Sequence, residues 1–160
     1  MATTALVRWN VGDCRCIKLA LVHDMAESVV GDITPDDNVS KEEKARLERD
    51  AMVKLCGMVR GCAPAAADEF RELWEEYEAA STPEAKFVKD LDKFDMILQA
   101  FEYEQTDNRP GELQTFFDST ADRFKTEQVK AWVSALNGVR TNSQADGSRG
   151  GGDSATEKAE

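Results

Sequence analysis

Arg15-Cys16-Ile17-Lys18-Leu19-Ala20-Leu21-Val22-His23-Asp24-Met25-Ala26-Glu27-Ser28-Val29-Val30 is the stretch on which the reading of this chain turns. Its apolar residues leave no wide polar face. The pattern predicts a helix over residues 15–30, apolar on most sides, and a helix of that kind forms the buried centre of its domain. Gly31 stands where a helix-ending glycine belongs, and Asp32-Ile33-Thr34-Pro35-Asp36-Asp37-Asn38 reads as a turn-rich loop.

Further along, Ser40 with Glu43 has the spacing of a capping box. The helix it opens is expected to run to about Val59, with Leu47, Ala51, Leu55 and Met58 on its inner face. Gly61 to Pro64 reads as a connector. A helix from about Ala67 to Ala79 is expected to turn Phe70, Leu73, Trp74 and Tyr77 inward and a Glu-rich face outward. Ser81-Thr82-Pro83-Glu84 is a second start signal, with serine as the cap. The helix after it carries Phe87, Leu91, Phe94, Leu98 and Phe101 at spacings of four and three. A shorter helix is expected over Glu127–Leu136. From about Thr141 the chain is Gly, Ser, Ala and charge, which reads as disorder. The expected class is all-α, with five or more helices and no strand.

Composition narrows the function classes. The chain has 160 residues and a net charge of −11, with a pI near 4.6. Such an acidic surface repels phosphate backbones, so a nucleic-acid polymer is not an expected partner. No apolar run approaches the roughly 20 residues of a membrane span, and no secretory signal opens the sequence, so neither a membrane nor export is expected. Cys14, Cys16, Cys56 and Cys62 lack the paired spacing of a zinc site and read as reduced thiols of a cytoplasmic protein, an organelle remaining open.

The chemistry gathers on the first helix. His23 is the only histidine. With Asp24 it sits among apolar neighbours, where a charged group is costly unless paired or bound to a metal. Glu27 lies one turn beyond His23, and Asp32 just past the helix end. Asp92 and Asp95 lie beside the aromatic stripe of the long helix. Spacing by itself leaves open a satisfied core histidine and a solvated pair of aspartates.

Leu21-Val22-His23-Asp24-Met25-Ala26-Glu27 leading into Gly31-Asp32-Ile33-Thr34-Pro35 resembles the core of HD-domain metal phosphohydrolases of the 5′-deoxynucleotidase type. Leu73-Trp74-Glu75-Glu76-Tyr77-Glu78 does so too, as do Ala85–Lys93, Met96–Ala100, Glu102-Tyr103-Glu104 and Asp118–Ala121. The resemblance covers roughly residues 14–136. It implies an HD-domain helical bundle, usually a homodimer, that releases phosphate from deoxyribonucleoside 5′-monophosphates with a divalent cation such as Mn, Co or Mg. His23, Asp24 and Asp92 match the metal ligands and are expected close together. Glu27 matches the catalytic acidic residue and a metal contact. Asp32 and Ile33, the latter through its carbonyl, match the loop that holds a second cation, with Asp37 nearby.

The family's first ligand is a histidine on a preceding helix, and residues 1–13 contain none. The reading that follows is a non-matching segment at 1–13, an HD domain lacking its first helices at 14–138, and a disordered, dispensable tail at 139–160. A chain without that ligand is expected to hydrolyse nucleotides poorly until an upstream helix with a histidine is restored. A competing class is an inactive remnant that serves only as a folding or dimerisation partner. A regulatory HD protein acting on guanosine tetraphosphate-type nucleotides is a third, though it would be longer and carry further motifs.

Overall fold

The computed structural model describes residues 13–33 and 37–149, and every element among them is helical. Expectations for residues 1–12, 34–36 and 150–160 lie outside the described residues. The helices are α1 (Asp13–Val22), α2 (Glu27–Val30), α3 (Lys41–Arg60), α4 (Pro64–Ala79), α5 (Pro83–Thr106), α6 (Gln114–Thr120) and α7 (Glu127–Arg149). They fall into two compact units, Met1–Lys89 and Asp90–Glu160, with α5 running from the first into the second.

In the first unit α4 packs against both α1 and α3, and α2 packs against α3. The single helix expected over residues 15–30 is in fact two. After Val22 the ladder tightens: Met25 donates to the Val22 carbonyl, Glu27 to Asp24, Ser28 to Met25 and Val29 to Ala26, each three residues back. The Ser28 hydroxyl also donates to the Met25 carbonyl (2.6 Å), drawing that acceptor off an ordinary helical ladder. The break turns the apolar face, so the helix is not buried all round. Cys16, Leu19, Val22 and Ala26 are buried, while Ile17 is 60%, Leu21 73% and Val29 41% exposed. Gly31 does end α2, at φ 80°, its N–H on the Glu27 carbonyl.

Ser40 caps α3 as its sequence implies, accepting from the Glu43 N–H at 3.1 Å. Glu43 does not complete the box, because its carboxylate takes the Arg46 guanidinium instead (2.6 and 2.9 Å). The buried face of α3 carries Ala51, Met52 and Cys56, and Met58 is 70% exposed. The helix is thus rotated from the expected Leu47–Ala51–Leu55–Met58 stripe, since its phase follows contact with α2 and α4. On α4, Leu73, Trp74 and Tyr77 are buried as expected, but so is Glu76. The Arg15 guanidinium (Nε at 3.0 Å) and the Thr82 hydroxyl hold its carboxylate. Thr82, not Ser81, caps α5, accepting from the Ala85 N–H at 3.1 Å.

The second unit is organised around charged groups. Asp90 is buried, and its Oδ2 accepts from the N–H groups of Lys125 (2.7 Å) and Thr126 (2.6 Å) and from the Thr126 hydroxyl (2.8 Å). That carboxylate fixes the entry to α7. The buried face of α5 here is Asp90, Ile97, Ala100 and Glu104, while Leu91, Phe94, Leu98 and Phe101 of the expected stripe are half-buried. Phe94 still meets an aromatic partner, Trp132 of α7, at 5.8 Å between ring centroids.

Helix α7 runs to Arg149, well past Leu136, so the tail expected from residue 139 is helical as far as the described residues reach. The physical reason is Arg140. Its side chain is buried against the Phe117 ring at 3.8 Å and salt-bridged to Glu104, which gives this turn a tertiary anchor that composition hides. Thr141 and Gln144 line a cavity of about 350 Å³ beside Arg140, with Phe117, Phe124 and Val133. Gln144 also closes on the turn at Gly111, where an added Cβ would lie 3.2 Å from its amide nitrogen. Deleting residues 141–160 is therefore expected to lower the melting temperature by about 2–8 °C, the scale of 1 kcal/mol, in a calorimetric comparison. An unchanged midpoint would restore the reading of a dispensable tail.

All four cysteines are free, Cys16 and Cys56 buried, Cys14 and Cys62 exposed. No helix of the described residues is long and apolar enough to cross a membrane.

Candidate metal centre

His23 and Asp24 stand at the break between α1 and α2, and the break positions both. The His23 N–H still closes onto Leu19 of α1 (2.9 Å), whereas the residues after it follow the tightened ladder. The imidazole Nδ1 lies 2.7 Å from the Ala20 carbonyl oxygen. A carbonyl only accepts, so Nδ1 carries the hydrogen and Nε2 is left with a lone pair to offer. Nε2 lies 2.9 Å from Oδ2 of Asp24.

That short approach decides the chemistry open to the pair. A neutral imidazole with hydrogen on Nδ1 turns a lone pair toward a carboxylate, two acceptors face to face. A divalent cation between the two would satisfy both. Ligands about 2.1 Å from one metal at near right angles lie about 3 Å apart, so the His23–Asp24 geometry fits a shared divalent ion. The imidazole is largely covered and the carboxylate largely open, with side chains 17% and 58% exposed.

Glu27 is half-buried. Burial, then the nearby charges of Asp24 and Asp32, push its carboxyl above the ordinary range, and Lys44 partly offsets them. Asp32 is exposed, as is Asp37. The Ile33 carbonyl accepts from the Lys44 ammonium at 2.9 Å. Lys44 also lies 3.5 Å from Glu48, whose carboxyl burial pushes upward. Asp92 belongs to the second unit and is exposed, as is Asp95, which accepts from the Gln99 amide at 2.9 Å. Among the described residues no three His, Cys, Asp or Glu side chains are gathered as an ion needs, and the converged donors are His23 and Asp24.

Sequence reasoning missed Lys44, Glu48 and Tyr77 as neighbours of this region. The Lys44–Glu48 spacing of four was a legible signal for an ion pair. Nothing in the sequence ties Lys44 to Ile33, since loop and helix meet only through packing.

Comparison with known proteins places the chain in a family. The HD domain family model matches residues 1–132. The chain is 52% identical over 134 residues to the 5′-deoxynucleotidase HDDC2 of Mus musculus, covering 84% of this chain and 66% of that protein. It thus spans about two thirds of that curated relative's length. The solved structure of the HD domain-containing protein YGK1 of Saccharomyces cerevisiae superposes with a TM-score of 0.71 at 36% identity, covering 87% of this chain and 70% of that one. A predicted metal-dependent phosphohydrolase from Magnetospirillum magnetotacticum gives 0.65 at 29% identity, covering 85% and 68%. An all-helical chain with a His-Asp pair at a helix break, matched by that model over most of its length, belongs to the HD domain family.

Proposed function

We propose that the chain is a metal-dependent phosphomonoester hydrolase acting on deoxyribonucleoside 5′-monophosphates. The observation that carries this is the approach of His23 Nε2 and Asp24 Oδ2 to 2.9 Å, with Nδ1 tied to a carbonyl. The likeness to HDDC2, a 5′-deoxynucleotidase, supports the substrate class. His23, Asp24 and Asp92 would hold one ion, and Asp32 with the Ile33 carbonyl a second. For the second, Lys44 has to release that carbonyl. A bound divalent ion makes water acidic enough to give hydroxide near neutral pH and offsets phosphate charge.

Glu27 is the proton carrier in this reading. Hydrolysis breaks the bond between phosphorus and the 5′-oxygen, and the departing oxygen needs a proton. Burial and the neighbouring carboxylates favour the protonated form of Glu27, the form whose Oε–H can pass a proton to that oxygen. The homodimer implied by the resemblance belongs to the same proposal.

A second reading is an inactive folding or dimerisation partner, in which His23 has no second imidazole beside it in the ligand set. Phosphate release from dAMP and dCMP with Mn²⁺ or Co²⁺ separates the two readings. The chain is compared with a version extended by a relative's upstream helix carrying a histidine. Slow release that rises by orders of magnitude on extension is expected. Equal turnover by the two would mean that the first histidine is not needed.

A further inference from the structure

We infer that Tyr77 is a positioning residue for His23, fixing the plane of the imidazole so that Nε2 meets Asp24. The inference rests on the metal-site reading above and adds a residue to it. A hydrogen bond from Nδ1 to the Ala20 carbonyl fixes which nitrogen is free, but the ring can still swing about that bond. A second contact in a different direction is needed to fix its plane. Tyr77 supplies it. The two ring centroids are 5.1 Å apart with planes at 61°, an edge contact. Tyr77 is 6% exposed, so its ring has little room to move away.

The contact joins separate elements. Tyr77 lies on α4, which packs on α1, and His23 follows directly on the end of α1. The Tyr77 ring is itself held from α5: the Lys89 ammonium lies 4.4 Å from its centroid and 3.2 Å from the Glu78 carboxylate. A cation over an aromatic face is attracted to it and keeps the ring in place. The chain of support therefore runs from Lys89 through Tyr77 to the imidazole. Groups that orient a ligating histidine from outside the coordination sphere typically matter about 10–100-fold in metal affinity.

The presence of one histidine makes the test clean, because the imidazole gives one set of ring-proton resonances. In the metal-free wild-type protein a nuclear Overhauser cross-peak between the Tyr77 and His23 ring protons is expected. Its absence would overturn the inference whatever the variants do. Tyr77→Phe keeps the ring and should retain the ring-to-ring cross-peak with His23. Tyr77→Met keeps bulk without a ring. It should weaken Mn²⁺ binding about tenfold and move the imidazole resonances of the metal-free chain. His23→Asn is the control for the metal reading. Loss of Mn²⁺ binding in His23→Asn with wild-type affinity and unmoved resonances in Tyr77→Met would overturn the role of Tyr77 alone. Wild-type Mn²⁺ affinity in His23→Asn would overturn the metal reading, and this inference with it.

Discussion

Arg140→Met is expected to lower the unfolding free energy by about 3–5 kcal/mol, the range for removing one partner of a buried ion pair. The guanidinium donates to both oxygens of Glu104, from Nε and one terminal nitrogen at 2.8 Å each, and its other terminal nitrogen donates to the Gln114 carbonyl oxygen at 2.8 Å. The side chains of Arg140 and Glu104 are 8% and 1% exposed, so water does not replace the lost partner. Met restores part of the volume but leaves a buried carboxylate with only backbone donors such as Leu113 N–H at 2.8 Å. Urea unfolding monitored by circular dichroism gives the number, and a loss under about 1 kcal/mol, the typical worth of an exposed pair, would contradict the burial argument.

The same pair sets an acid limb. The Arg140 hydrogen bonds, chiefly, hold the Glu104 carboxyl below the ordinary range against the opposing effect of burial. A carboxyl whose folded pKa is depressed adds stability that is complete above its unfolded pKa and fades as pH falls toward the folded one. The gap between wild type and Arg140→Met should therefore narrow on acidification below the ordinary carboxylate range.

Asp92→Asn is expected to reduce Mn²⁺ affinity beyond the roughly 10–100-fold that loss of an outer hydrogen-bond partner costs, and phosphate release at least as much. In the proposed site Asp92 supplies a charged ligand oxygen, which an amide replaces poorly. Asp95 lies one turn on, exposed and bonded to Gln99. Asp95→Asn should stay within about 0.5 kcal/mol, roughly twofold, as surface changes usually do. Isothermal titration with Mn²⁺ on both variants checks this. Equal losses would move the ligand to Asp95 or divide it between the two.

The helices were largely legible because their ends are chemically marked. Ser40, Pro83 and Gly31 carry their signals within a few residues, and each stands at or next to a helix end. The His23–Asp24 pair was legible for a similar reason, since a polar dipeptide inside an apolar run calls for a partner. What escaped depends on distant contacts. The phase of α3 is set by the elements packed on it, so Met58 reads as core and is exposed. Glu76 looks like one more acid in an acidic run until Arg15, 61 positions away, is brought to it. Arg140 hides likewise, its partner Glu104 being 36 positions back, and α7 runs beyond the end that its apolar periodicity marks. Asp90 carries no local signal either, because the N–H groups its carboxylate accepts from belong to Lys125 and Thr126.

The interruption after Val22 also bears on mechanical compliance. In an unbroken helix the spacing of neighbouring side chains is dictated by the stiffness of the whole rod. At this joint the backbone bonds reach three residues back at 3.0–3.3 Å, so His23 and Asp24 sit outside the regular ladder that seats Leu19 and Val22. An adjustment at that turn is then separable from the packing of α1, which the buried Cys16, Leu19 and Val22 carry.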